Sequence, residues 1–157
     1  MRTITAALCL FLCLGALCAC RQQEQVPQEY LDALTAEPVA WNVTMTAETV
    51  SPTGGTFVLA QSETTLAGQF LTGRSYALEL KNGEKWSIYP YAEGVTEQDY
   101  TAEAAMIPMG GSVRWTVDWT NLYGTLPEGT YRLVKPVMLL SESGEETHLI
   151  YAEFTIR

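Results

Sequence analysis

Few residues in this sequence are suited to catalysis, and their spacing matches no common catalytic arrangement. The single histidine is His148. The four cysteines all lie near the N-terminus, at Cys9, Cys13, Cys18 and Cys20. A cysteine nucleophile needs a histidine base beside it, and the spacing of these residues does not fit a zinc site. Ser112 follows Gly110-Gly111, which is typical of a turn into a strand and not of a Gly-x-Ser-x-Gly nucleophile elbow. The sequence therefore predicts neither an enzyme nor a cofactor or metal site.

Acidic side chains gather in one long connection, and calcium is the cation that such oxygens would take. They are Glu93, Glu97, Asp99 and Glu103. The Asp-x-Asp-x-Asp-Gly pattern of calcium loops does not occur in the sequence. We therefore expect a solvated acidic loop without a bound metal.

The N-terminus has the layout of an export signal. Arg2 precedes an uncharged, leucine-rich run from Ile4 to Ala19 that ends in small residues. This run is shorter than the roughly 20 apolar residues that a membrane-spanning helix needs. We therefore interpret residues 1–19 as a signal peptide that is removed on export.

Within this signal, Leu17-Cys18-Ala19-Cys20 resembles the lipobox of bacterial lipoproteins, in which a leucine and a small residue precede an obligatory cysteine. In that family the cysteine receives a diacylglycerol and becomes the first mature residue, and two acyl chains suffice for stable anchoring. The resemblance implies a lipid on Cys20, a chain held at the extracytoplasmic side of the cell membrane, and no internal disulfide. Cys18 is a mild departure from the pattern. The alternative is an ordinary signal whose cysteines serve as small apolar residues, but the polar residues that begin at Arg21 favour lipidation.

The rest of the chain has room for one domain with its own core. Nine basic residues stand against eighteen acidic ones, for a formal net charge of −9, and the three lysines are scattered. Without a basic cluster to neutralise phosphates, nucleic acid is excluded as a partner. We expect a polar tether at residues 20–38, with a short helix from Gln28 to Thr35, and a domain at residues 39–157.

From Val39 onward, short apolar runs follow a period of two and are separated by turn residues, which is typical of half-buried strands. The residues predicted to share a face are Trp41, Val43 and Met45 in one run, Val113, Trp115, Val117 and Trp119 in another, and Ile150, Ala152, Phe154 and Ile156 in the last. The first run passes through the turn at residues 51–55 to a partner strand. This spacing predicts an all-β fold, an antiparallel β-sandwich.

The segment from Tyr76 to Ile88 predicts a hairpin around Asn82-Gly83. A two-residue Asn-Gly loop would mix apolar and charged side chains on both faces. A three-residue loop from Lys81 to Gly83, with Gly83 in the left-handed conformation, instead pairs Leu78 with Trp86 and Glu79 with Lys85. The pattern favours the three-residue loop, because a one-residue slip exchanges the core and solvent faces.

Lys135 and Pro136 interrupt the alternation of the strand before the last. Continuing the period from Tyr131 and Leu133 places Lys135 on the inner face, and Pro136 lacks the N–H that a sheet ladder uses. We expect a bulge at Lys135-Pro136 that changes the face of the strand.

The sequence Leu122-Tyr123-Gly124, followed by Leu126-Pro127-Glu128-Gly129-Thr130-Tyr131-Arg132, resembles a family of bacterial immunoglobulin-like domains, and the resemblance covers roughly residues 41–157. It implies an exported or lipid-anchored protein with an Ig-like sandwich of about seven to eight strands. Pro127 and Gly129 shape a turn, and Tyr131 would return its hydroxyl to the upstream backbone as a tyrosine corner. Structural roles are expected for Gly83, Trp115, Trp119, Gly129 and Tyr131.

Aromatic side chains give the remaining candidate for a binding surface. Trp86 and Ile88 face one way in their strand, so Tyr89 and Tyr91 should face the other, near Tyr100. Exposed together, these tyrosines would suit a protein partner or stacking on sugar rings, although such residues also fold back over sheet edges. We expect a membrane-anchored binding or scaffolding module with a protein partner at the cell surface, and a carbohydrate or cell-wall ligand as the alternative.

Overall fold

The computed structural model describes residues 42–62, 68–95 and 103–157, which form two antiparallel β-sheets with a shared core. The predicted signal peptide, Cys20 and the tether lie outside the described residues. The smaller sheet has the strand order β1-β2-β7. Its strands are β1 (Val43–Ser51), β2 (Gly54–Gln61) and β7 (Ser112–Asp118).

The larger sheet has six strands and is built around the long strand β8. Its strands are β3 (Gly68–Thr72), β4 (Ala77–Asn82), β5 (Lys85–Ile88), β6 (Ala105–Ile107), β8 (Gly129–Ser141) and β9 (Gly144–Ile156). One edge of β8 pairs with β9 along its whole length, whereas the other edge pairs with β4 in its first half and β3 in its second. β5 extends the sheet beyond β4, and β6 extends it beyond β3.

The described part of the chain thus contains nine strands, where the family resemblance implied about seven to eight. A single helical turn, α1 (Thr120–Tyr123), follows β7. None of the helical structure within the described ranges is long and apolar enough to cross a membrane.

Aromatic rings join the two sheets through the core. Phe57 of the smaller sheet packs edge-on against Phe154 of the larger sheet, with ring centres 5.8 Å apart. Phe154 also stacks on Trp119 and Tyr131, at 5.6 and 5.7 Å. The alternation predicted for β7 and β9 is confirmed, because Val117, Trp119, Ala152, Phe154 and Ile156 are all buried. The all-β sandwich expected from the sequence is therefore the fold.

The hairpin between β4 and β5 differs from the predicted one. Its loop has two residues, Gly83 and Glu84, and Lys81 lies opposite Trp86. Gly83 has φ of 61° at the first loop position, which is the position where a type II′ turn requires glycine. The predicted pairing of Leu78 with Trp86 is wrong, because the observed register is shifted by three residues and places Trp86 on the outer face, whereas Leu78 lies in the core.

The bulge predicted at Lys135-Pro136 is also wrong. The register between β8 and β9 continues through both residues without a shift, and Lys135 stays on the inner face with no exposed surface. β8 changes its other neighbour from β4 to β3 at this point. Pro136 therefore lies where no neighbouring strand requires its missing N–H on that side, and its carbonyl accepts a hydrogen bond of 2.9 Å from the Thr72 hydroxyl.

Candidate binding site

The outer face of the smaller sheet is polar, as expected for an antiparallel sheet with one face in water. The hydroxyls of Thr56 and Thr116 are hydrogen-bonded across β2 and β7 at 3.1 Å. The guanidinium of Arg114 donates to both carboxylate oxygens of Glu48. This pair raises the pKa of Arg114 and lowers that of Glu48, chiefly through the hydrogen bonds.

The outer face of the larger sheet instead carries exposed apolar side chains among polar ones such as Glu145 and Glu153. Four of the five exposed large hydrophobic side chains among the described residues project from it: Ile88, Met106, Leu140 and Tyr151, which are 40, 56, 40 and 54% exposed. The register places half-buried Leu71 and Met138 beside Met106, and Leu149 beside Pro136. We call this face, with Trp86 and Arg132, the outer-sheet surface.

Arg132 forms the centre of one end of the outer-sheet surface. Its guanidinium carbon lies 4.7 Å from the centre of the Trp86 ring and 4.8 Å from that of Tyr151. The Arg132 Nε donates to the carboxylate of Glu79, which is 6% exposed. The rings and the ion pair hold the guanidinium in one orientation. Trp, Tyr and Arg are the residue types that most often carry the binding energy of protein interfaces.

Two of the three tyrosines proposed from the sequence, Tyr89 and Tyr91, lie away from the outer-sheet surface. Tyr89 and Tyr91 are half-buried and pack against Tyr123, with ring centres 6.1 and 5.1 Å apart. Tyr89 also meets Tyr131 edge-on at 5.6 Å. Tyr100 lies outside the described residues. The structure thus gives Tyr89 and Tyr91 packing contacts at the rim of the core.

The outer-sheet surface combines residues that are far apart in sequence. Alternation identifies the buried face of each strand, but it does not show which outward residues come together. A signal is nevertheless present, since the outward positions Met138 and Leu140 in β8 and Leu149 and Tyr151 in β9 are apolar where a solvated face would be polar.

Of the residues with expected structural roles, Gly83 lies in the exposed β4–β5 loop, and the other four lie in or next to the core. The hydroxyl of Tyr131 donates to the carbonyl of Pro127 at 3.0 Å, which is the hydrogen bond of a tyrosine corner. Burial raises the pKa of Tyr131 to about 12, with a further contribution from Tyr89. The Nε1 of Trp119 donates to the carbonyl of Pro52 at 2.9 Å. A Cβ added at Gly129 would lie 3.1 Å from atoms of Leu80 and Tyr131, so this turn leaves little space for a side chain.

The polar residues considered for chemistry are dispersed. Within residues 42–62, 68–95 and 103–157, no cluster of three or more His, Cys, Asp or Glu side chains is arranged to hold a metal ion. Glu103 forms an exposed ion pair with Arg74 at 2.6 Å, and His148 lies opposite Val137 in the β8–β9 ladder. Glu97 and Asp99 belong to the part of the chain that is not described.

Comparison with known proteins agrees with this architecture. The model of the bacterial Ig-like domain family matches residues 38–155. No curated protein matches the sequence. Domains of this family are typically non-catalytic and are, in general, surface or protein-interaction modules. Because the match covers nearly all of the sandwich, this protein belongs to the bacterial Ig-like domain family.

Proposed function

We propose that this protein is a lipid-anchored, extracytoplasmic interaction module that binds a partner protein through its outer-sheet surface. Cys20 carries the lipid, residues 20–38 form the tether, and the Ig-like sandwich presents the surface away from the membrane. The observation that carries the proposal is the concentration of exposed apolar side chains on one sheet face.

The contrast between the two sheets supports this choice of surface. The outer face of the smaller sheet has a hydroxyl pair and an ion pair, as is usual for a sheet face in contact with water. A large exposed apolar face costs solubility, and on soluble proteins such a patch typically marks an interaction site. Here the face also has a fixed arginine between two aromatic rings at one end, and such a preorganised group loses little side-chain entropy on binding.

Site-specific photo-crosslinking in the native bacterium tests the proposal. The residue p-benzoylphenylalanine is introduced at Tyr151, on the outer-sheet surface, and at Thr46, an exposed position on the outer face of the smaller sheet, as a matched control. We expect a discrete protein adduct from position 151 and none from position 46. The adduct should disappear when Leu140→Asp is added, because a charge there opposes burial of the surface. Equal labelling from both positions, or none from position 151, would contradict the proposal.

Carbohydrate binding is the alternative, and the observation that favours it is the pair of rings on either side of Arg132, exposed Tyr151 and half-buried Trp86. A second candidate site for such a ligand is formed by Tyr89, Tyr91 and Tyr100. Titrating the full chain with soluble cell-wall fragments, with tryptophan fluorescence as the readout, separates these cases. A saturable change that is lost in Trp86→Phe would assign the glycan to the outer-sheet surface, whereas a change lost in Tyr91→Ala alone would assign it to the tyrosines. If either result were obtained and position 151 gave no protein adduct, the ligand would be a glycan and not a protein.

A further inference from the structure

A groove of about 660 Å³ runs along one side of the sandwich and shares no residue with the outer-sheet surface. Four consecutive residues of β7, Trp115–Asp118, line it, as do Glu103–Ala105 at the start of β6. Neighbouring residues of a strand point to opposite faces, so a groove lined by four in succession follows the backbone edge of the strand. The volume lies within the range of about 300–1,000 Å³ that is common for ligand sites.

The apolar lining of the groove is held rigidly. The ring of Trp115 meets Tyr76 edge-on at 5.5 Å, and the Lys135 ammonium lies 3.8 Å from the centre of the same ring. That ammonium is fixed by hydrogen bonds to the carbonyls of Gly73 and Ser75, at 2.6 and 3.2 Å. Trp115 is half-buried, so part of this fixed ring is available to a ligand. A preorganised aromatic surface favours binding because its side chains lose little conformational entropy when the ligand binds.

The backbone of β7 supplies the polar groups of the groove. Within the described residues, β7 is an edge strand that pairs with β2 alone. Alternate residues of such a strand direct their N–H and C=O groups away from the paired side, which makes an edge a template for a further strand. In β-strand addition, these main-chain groups give affinity and neighbouring pockets accept alternate side chains of the peptide.

The charges around the groove exclude an anionic ligand. The positive charge of Arg74 is paired with Glu103. The carboxylate of Asp118 accepts hydrogen bonds from the hydroxyl and N–H of Thr120, which lower its pKa and keep it ionised. The side chains that line the groove therefore carry no surplus positive charge for a phosphate or a polyanion, and the nearby Lys135 ammonium is buried and already bound to two carbonyls. A peptide backbone requires no such charge.

We propose that this groove binds an extended peptide segment of a partner protein, which adds to β7 as a new strand and packs an apolar side chain against Trp115 and Tyr76. The groove is separate from the outer-sheet surface, so this proposal can be tested independently of the function proposed above. It gives the module a second contact of a different kind, made mainly through backbone hydrogen bonds.

The test starts from random linear peptides displayed on phage, selected on the full chain purified in mild detergent. A selected peptide is synthesised, and its affinity is measured for the parent chain and three variants. Ala105→Phe fills the groove at an exposed alanine, and Trp115→Ala removes the aromatic ring. Arg114→Ala is the matched control, since it changes the adjacent residue of β7 on the opposite face. We expect Ala105→Phe and Trp115→Ala to weaken binding by about tenfold or more and Arg114→Ala to leave it unchanged.

Hydrogen exchange supplies the second readout and does not depend on the variants folding equally well. The groove-facing amides of β7 should exchange readily in the free chain and become protected when the peptide is bound, while the amides paired with β2 change little. The proposal is overturned if selection yields no peptide, if Ala105→Phe binds as the parent does, or if the groove-facing amides of β7 are already protected in the free chain. The last result would mean that another part of this chain occupies the edge.

Discussion

The ammonium of Lys135 lies 3.8 Å from the centre of the Trp115 ring, in the interior between the two sheets. It donates to the carbonyls of Gly73 and Ser75 in the connection between β3 and β4. Among the described residues no carboxylate forms an ion pair with it. The Lys135 side chain thus connects β8 to the β3–β4 segment at the point where β8 changes partners, and its nitrogen is buried without a carboxylate partner in the described part of the chain.

Lys135 makes the stability of the fold depend on pH. Burial lowers the pKa of Lys135 from 10.5 to about 7. Between these values the unfolded chain binds the proton and the folded chain does not, so the free energy of unfolding rises with pH. At pH 10 the free energy of unfolding should exceed its value below pH 7 by about 4 kcal/mol, and below pH 7 it should no longer depend on this group. Urea unfolding of the parent chain and Lys135→Met at a series of pH values measures it, because the difference between the two isolates this group. Parallel curves for the two proteins would contradict the prediction.

Removing the Tyr131 hydroxyl should destabilise the domain. Tyr131→Phe keeps the stacking on Phe154 but leaves the Pro127 carbonyl without its 3.0 Å hydrogen bond. We expect a loss of about 1 kcal/mol in the free energy of unfolding, the usual net contribution of one hydrogen bond, because Pro127 is exposed and water can replace the lost donor. Tyr151→Phe is the control, since it deletes the hydroxyl of an exposed tyrosine. Similar urea midpoints for both variants would show that the tyrosine corner contributes nothing.

The pair of Arg132 and Glu79 should show strong coupling. Both side chains are mostly buried, at 19 and 8% exposed, so Arg132→Met leaves a carboxylate in a desolvated position. We expect this variant to lose about 3 kcal/mol of stability, and the double variant with Glu79→Gln to recover most of it. A double-mutant cycle by urea unfolding gives the coupling energy. Additive effects would show that the pair is no more than a surface contact.

Replacing Cys20 should release the protein from the membrane. Cys20→Ala removes the thiol that we propose accepts the lipid, so the chain should appear in the soluble or secreted fraction or stay as a larger, uncleaved precursor. Cys18→Ala is the control, because it changes a neighbouring cysteine that the proposal does not assign as the lipidated residue. Membrane fractionation, mass spectrometry and labelling with radioactive palmitate follow the outcome. Unchanged fractionation and mass in Cys20→Ala would refute lipidation at this site.

Local patterning predicted the strands whose faces differ most in polarity. Val117 and Trp119 at the end of β7, and Ala152, Phe154 and Ile156 in β9, are buried as the period of two indicated. The first hairpin is also confirmed, since Val43 and Met45 are buried in β1 and β1 pairs with β2. These predictions hold because each strand carries its own contrast between apolar and polar positions, which does not depend on its neighbours.

The register of β5 and the course of β8 were not predictable in the same way. Trp86 was expected opposite Leu78 on the core face, but β5 pairs with β4 in a register that places Trp86 opposite Lys81. The Trp86 ring therefore lies on the outer face, against Lys81 and Arg132. Lys135 was expected to force a bulge. It stays inside because the carbonyls of Gly73 and Ser75 and the Trp115 ring satisfy its ammonium. Those partners are far from Lys135 in sequence.

The sequence by itself determined the sandwich class, the buried faces of β7 and β9, the acidic net charge, and the expectation of export and lipidation at Cys20. The tertiary structure alone decided which outward residues meet, and so it produced the apolar outer-sheet surface and the groove along β7. The physical reason is that side-chain alternation is a property of one strand, whereas a binding surface depends on the registers between strands. Those registers are set by long-range pairing with β8 and by core packing.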